Sequence, residues 1–289
     1  MAYPDVDAPV LSDAFEQRIR EREQIRSRPL ETVPAVTAKQ PHGTIPNTPL
    51  AVSTISFFLG SIFALGFSVF LSGGLSSFWF ATYQLAFFVA SWSAFHWGEF
   101  AVTAGWNRDK VSVDSFLLNN GPWYHIANSL AVIEHLLVLY FRPSLKTFPY
   151  VSSTGELNKP LLSRPCHVCR FGAGIIVVFL GQFLRSAAMI KAASNFSHAV
   201  AFRKNAGHHL VTDGIYAWSR HPSYAGFFYW ALGTQLVLQN PLSFCLYIVL
   251  LMRFFSPRIR AEERALVSFF GDDYVSYRNQ VGTWIPFIP

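Results

Sequence analysis

Charge is scarce in this 289-residue chain. Asp, Glu, Lys and Arg make up 14% of it, against roughly a quarter in ordinary globular domains. So few charges cannot cover a water-facing surface of this size, which argues against a soluble enzyme. Cysteine is scarcer still. Cys166, Cys169 and Cys245 are too few, and odd in number, for a disulfide framework. The spacing Cys166-His167-Val168-Cys169 lacks the second ligand pair of a zinc site and the following histidine of a haem attachment. No metal is expected there, and Cys245, inside an apolar run, is expected to pack as a small hydrophobe. What the chain has in excess is apolar surface. Hydrophobic residues reach 51% and aromatics 16%, with 28 Phe, and the mean hydropathy is +0.27. These values exclude a disordered chain, a disulfide scaffold and a coiled coil. Lys and Arg (23) exceed Asp and Glu (17). In a chain this apolar, that excess marks cytosol-facing loops and anionic headgroups rather than nucleic acid.

The fold class expected is all-α: a polytopic integral membrane protein with six to eight membrane helices and a C-terminal interfacial catalytic region. Three regions follow. Residues 1–48 are polar and lack the apolar stretch of a signal peptide. They read as a mobile cytosolic tail, with a charged helix over Leu11–Ser27 supported by Glu16 and Arg20 at i, i+4. Residues 49–190 hold the N-terminal transmembrane helices. Ala51–Leu71 is one crossing of about 20 residues; Ser72-Gly73-Gly74 turns the chain into a second apolar segment, Leu75–Ala90. His96 and Glu99 stand near the end of that stretch, at a depth where ionisable groups are costly. Ser115–Tyr140 is the next span, broken by Asn119–Pro122. Its Glu134 and His135 argue for a protein-facing side. Phe171–Ile190 follows, with Arg185 near its far end. Residues 191–289 carry two further apolar segments, Pro222–Leu238 and Leu242–Phe255, joined by an Asn240-Pro241 turn. An interfacial amphipathic helix is expected over Arg258–Phe270. The basic residues at 203–220 and 253–278 put this end in the cytosol.

Polar side chains concentrate in the last third rather than along a midplane path, as a carrier would need. A hairpin bracketed by polar groups at one interface suits a site that joins a water-soluble reagent to a lipid-borne one. In Arg220-His221-Pro222-Ser223-Tyr224-Ala225-Gly226, Pro222 fits a first helical turn. The N–H groups there, with the positive dipole end, form an anion seat, and Gly226 permits close approach. The same residues equally make a capped membrane helix with an aromatic belt. Arg258 and Glu262 share a helix face; they are either a surface pair or, in their apolar setting, a carboxylate grip and a hydrogen-bond acceptor. His208 and His209 are adjacent, point differently and make a poor metal pair.

Together with these residues, Asn195-Phe196-Ser197-His198, His209-Leu210-Val211-Thr212-Asp213-Gly214-Ile215-Tyr216, Asn240-Pro241, Arg253-Phe254-Phe255 and Phe269-Phe270-Gly271 with Tyr274 form an ordered pattern over about a hundred residues. It resembles the isoprenylcysteine carboxyl methyltransferase family. The resemblance implies an endoplasmic reticulum membrane enzyme whose active site faces the cytosol. Such an enzyme uses S-adenosylmethionine to methylate the C-terminal carboxylate of a farnesyl- or geranylgeranylcysteine, on substrates such as prenylated Ras-like small GTPases. It further implies that His208, His209, Leu210, Val211, Tyr216, His221, Pro222, Ser223, Tyr224 and Glu262 bind S-adenosylmethionine. Arg258 would meet the substrate carboxylate, and Arg185, Asn195 and Trp230 would line the site. Ala201 stands where family members can carry a cofactor-contacting Gln. Three rival readings remain: a phospholipid amine N-methyltransferase, whose acceptor would need a proton sink rather than an arginine; an NADPH-dependent sterol-type reductase; and a transporter or scaffold without catalysis.

Overall fold

The computed structural model describes residues 45–75, 77–143, 165–198, 204 and 207–288. The expected helix over Leu11–Ser27 and the position of Ala201 lie outside them. Proline and glycine punctuate the helices. α1 (Pro49–Leu71), α3 (Pro122–Phe141), α5 (Pro222–Leu238) and α6 (Pro241–Phe270) each open on a proline in the first turn, where a missing N–H costs nothing. α2 spans Tyr83–Trp106, α4 Pro165–Ala192 and the short α7 Asp272–Gln280. Among the described residues α1, α3, residues Phe171–Asn195 and α6 are long and apolar enough to cross a membrane. α5 has 17 residues, and α2 buries Gln84, His96 and Glu99. Those two pack inside the other helices, where their polar groups find protein partners.

Three expected boundaries move. α2 begins at Tyr83, not Leu75, because Gly73 and Gly74 take φ values of 78° and 101° and lead into a loop closed by a Gly74–Thr82 bridge. α3 begins at Pro122, not Ser115; Gly121 at φ 81° lets the chain turn, and residues 113–116 form a separate 3₁₀ turn. Leu242–Phe255 and Arg258–Phe270 are not two helices but one, α6, of 30 residues with Pro257 inside it. One proline removes a single N–H, and the strong helix formers around Ala261-Glu262-Glu263-Arg264 carry the helix on. At 1.5 Å per residue α6 is about 45 Å long, more than the roughly 30 Å hydrocarbon core. Arg258 stands roughly 25 Å along it, close to the interface. Cys245 is exposed on α6, on the side available to lipid, rather than packed inside.

α4 and α5 make the closest crossing. A Cβ on Gly181 would lie 2.5 Å from the Trp230 backbone N, and one on Gly226 would lie 2.6 Å from the Arg185 backbone N. Gly174 and Gly233 repeat the pattern one heptad away, with contacts of 2.8 Å to the Val237 and Val178 backbones. Small residues let membrane helices approach until their backbones touch. The close approach that Gly226 permits is therefore that of α4. The consequence for function is that Arg185 is pressed against the first turn of α5.

α3 holds the opposite end. Glu134 accepts from the backbone N–H groups of Leu242 (3.0 Å) and Ser243 (2.6 Å), capping α6. His135 is fully buried between the Thr82 hydroxyl (3.0 Å) and the Leu238 carbonyl (3.2 Å). A carboxylate on two N–H groups at the positive end of a helix is a strong cap. Glu134→Ala is expected to cost about 1–2 kcal/mol, read as a lower unfolding midpoint in detergent; Glu134→Gln, which keeps an acceptor, is expected to lose less.

Candidate active site

The start of α5 meets the second half of α6 at the interfacial end of the bundle, and α7 closes over both. Glu263 ties the three together. Its Oε1 accepts from Arg220 Nε (3.0 Å), His221 Nε2 (2.9 Å) and the Tyr274 hydroxyl (2.9 Å). Arg220 also donates to the carbonyls of Arg278 (2.8 Å) and Val281. These bonds fix the approach to α5, and Arg220, His221 and Tyr274 also line the cleft beside it.

That cleft has a cavity volume of about 130 Å³. Of the residues expected to bind or line, it brings together Asn195, His209, Leu210, Val211, Tyr216, His221, Pro222, Ser223, Tyr224 and Glu262. The loop that supplies His209 is held by Asn195, whose amide reaches the His209 ring at 3.0 Å and accepts from the His209 backbone N–H at 3.3 Å. Asn195 is held in turn by the end of α2. Asn107 donates to the Phe196 carbonyl (3.0 Å), and Lys110 donates to the carbonyls of Ser194 (2.7 Å) and Phe196 (2.8 Å). The Tyr216 and Tyr277 hydroxyls are pushed well up by burial, so both stay protonated donors. Tyr216 reaches the Ala188 carbonyl at 3.3 Å and Tyr277 the Tyr216 carbonyl.

The centre of the arrangement is Tyr224. Its hydroxyl donates to Glu262 Oε2 at 2.6 Å and accepts from Arg258 Nε at 2.9 Å. Its ring lies parallel to that of His221 (5.6 Å, 5°) and under the Arg258 guanidinium (5.5 Å). Arg258 Nη2 donates to the His198 carbonyl. A carboxylate therefore faces the cleft, and a guanidinium stands directly behind the tyrosine that borders it.

Four expected site residues are placed otherwise. Arg258 and Arg185 are outside the cleft lining but touch it, through Tyr224 and through Ser223 (3.0 Å to its Oγ). His208 is turned toward Phe269 (6.5 Å between rings), as adjacent histidines must diverge. Burial, then Lys110, His209 and Lys204, lowers its pKa, so it is neutral near pH 7. Trp230 is a core residue, 3% exposed and stacked on Phe95 at 4.3 Å; two turns into α5, it fills the contact with α2. Leu266, Phe270 and Tyr277 line the cleft and were missed. Glu262, Leu266 and Phe270 recur every fourth residue, so one helix face carried that signal. Lys110 and Asn107 gave no local sign. Among the described residues no group of three His, Cys, Asp or Glu is placed to hold a metal ion.

Residues 174–268 match the isoprenylcysteine carboxyl methyltransferase (ICMT) family. The chain is 46% identical over 201 residues to the protein-S-isoprenylcysteine O-methyltransferase of Saccharomyces cerevisiae, covering 70% of this chain and 79% of that protein. It is 44% identical over 246 residues to the enzyme of the same description from Schizosaccharomyces pombe (84% and 98% covered). With that from Homo sapiens it shares 40% over 225 residues (78% and 72%). Among solved structures it resembles the eukaryotic intramembrane Ras methyltransferase ICMT. The TM-score is 0.71 at 37% identity, with 82% of this chain and 77% of that chain covered.

Proposed function

The chain belongs to the isoprenylcysteine carboxyl methyltransferase family, and from that premise we propose how its cleft performs the family's reaction. It is an O-methyltransferase that methylates the carboxylate of an isoprenylcysteine. We assign the cleft to the methyl donor, S-adenosylmethionine, and the Arg258 side to the carboxylate. The observation that carries this reading is the Tyr224 hydroxyl, shared between Glu262 and Arg258. It joins, at one hydroxyl, an acceptor suited to a cationic, hydroxyl-bearing ligand and a guanidinium suited to an anion.

Bound there, S-adenosylmethionine supplies an electrophilic methyl on a cationic sulfur. The chain's own tasks are to bind, align and dry. Glu262 accepts hydrogen bonds from donor hydroxyls or its amine, while Leu210, Val211 and Phe270 cover the apolar parts. Arg258 turns the acceptor carboxylate toward the cleft. A carboxylate is already ionised near neutral pH, so no general base is required. Opposite charges merge as the methyl moves, so a water-poor site raises the driving force. Alignment replaces a rare encounter with a near-attack geometry. The prenyl chain reaches this point from the bilayer, where burial contributes about 0.8 kcal/mol per CH₂. Lys110 and Lys191, which bond to Ser194 and Asp213 in the segments that supply the cleft, support a cytosolic orientation in the endoplasmic reticulum membrane. Prenylated small GTPases fit as protein substrates.

Membranes containing the protein are expected to move label from S-adenosylmethionine to N-acetyl-S-farnesylcysteine, forming a base-labile methyl ester. Transfer to phosphatidylethanolamine instead, yielding a base-stable methylamine, would overturn the reading in favour of an amine acceptor.

A further inference from the structure

Glu99 is the least expected group in the molecule: a carboxylate on α2, 1% exposed, in a chain that reads as spanning a bilayer. Its Oε2 accepts from Arg185 Nη2 at 2.8 Å and its Oε1 from Arg185 Nε, a bidentate pair. The guanidinium's remaining nitrogen, Nη1, donates to Ser223 Oγ (3.0 Å) and to the Ser223 carbonyl (3.3 Å), and Ser223 lines the cleft. Arg185 is thus wedged against the first turn of α5. That is the end of a helix where a cation is unfavourable, and it borders a cleft read as holding a cationic donor. His198 lies 3.8 Å from Glu99, but burial beside Arg185 and Arg258 lowers its pKa. It is neutral near pH 7 and does not share the charge.

We propose that Glu99 is a positioning residue that acts through Arg185: it keeps the guanidinium drawn back and neutralised, so that the start of α5 tolerates a sulfonium in the adjoining cleft. This inference rests on the assignment of the cleft to S-adenosylmethionine. A purely structural ion pair would affect every ligand of the cleft alike. The counter-charge role instead discriminates between the cationic donor and its demethylated product, S-adenosylhomocysteine, which has the same shape and an uncharged sulfur.

The test is the ratio of dissociation constants for these two ligands on the full-length protein in detergent. Where Glu99→Gln does not survive extraction, the same ratio is read in native membranes from inhibition of methyl transfer. Glu99→Gln leaves Arg185 charged and unopposed. It is expected to weaken the donor about tenfold while the product changes less than about threefold. Glu99→Met combined with Arg185→Met removes both charges at similar volume and is expected to return the ratio to that of the wild type. Glu99→Asp, which keeps the charge, is expected to hold the ratio even if the unfolding midpoint falls. Equal weakening of both ligands in Glu99→Gln, or a ratio that stays shifted in the double variant, would overturn the proposal. Failure of the wild-type protein to bind either ligand would instead overturn the donor assignment.

Discussion

Replacing Arg258 by alanine is expected to lower methyl transfer at saturating donor about a hundredfold or more, the usual loss when one charge-holding donor is removed from a reacting centre. The guanidinium is held from two directions, by the Tyr224 hydroxyl at 2.9 Å and by the His198 carbonyl, and it lies 5.7 Å from the Phe254 ring on the exposed side of α6. It is therefore fixed rather than adaptable, which is what aligning a carboxylate requires. Arg258→Lys is expected to recover little, because an ammonium cannot engage the hydroxyl, the carbonyl and a carboxylate in one plane. The measurement is single-turnover methylation with donor bound beforehand. A wild-type rate constant in Arg258→Ala would remove the arginine from the reaction.

The second large effect is on the fold. Gly181→Leu and Gly226→Leu are each expected to prevent recovery of folded protein. At both positions a new Cβ would meet backbone atoms, not a side chain that can rotate away: the Trp230 N and Gly226 O atoms for the first, and the Arg185 N and Gly181 O atoms for the second. Overpacking commonly costs about 1–3 kcal/mol when neighbours can shift; two helix backbones in contact have nowhere to go. Gly60 on α1 has nothing within 4 Å of its Cβ position, and Gly60→Ala is expected to be neutral or to stabilise by up to about 1 kcal/mol. The comparison of these variants by size-exclusion profile and unfolding midpoint separates crossing contacts from helix propensity.

The sequence carried the helices where its apolar runs were long, and it carried the cleft where motif residues are close in the chain. His221, Pro222, Ser223 and Tyr224 are consecutive, and Glu262, Leu266 and Phe270 lie on one face, so both sets were readable locally. What escaped was set by distance or by competition. Nothing near Glu99 announces Arg185, 86 residues away; only the rarity of a carboxylate in an apolar stretch flagged it. Trp230 was expected to line the site, yet the glycine-lined crossing draws its backbone inward and its ring onto Phe95. The apolar run Leu242–Phe255 and the amphipathic run Arg258–Phe270 read as separate segments because their periodicity changes, yet the single N–H missing at Pro257 does not stop the helix that joins them. The clamp of Lys110 and Asn107 on residues 194–196 depends on how α2 ends, which periodicity does not reveal.

We propose a division of labour at the Tyr224 hydroxyl, with the donor on the Glu262 side and the acceptor on the Arg258 side. Equilibrium binding of labelled S-adenosylmethionine to purified Arg258→Ala and Glu262→Ala tests it most directly. Binding within about threefold of wild type in Arg258→Ala, with a loss of about tenfold or more in Glu262→Ala, is the predicted result. Equal losses in the two variants, or intact binding in Glu262→Ala, would contradict it.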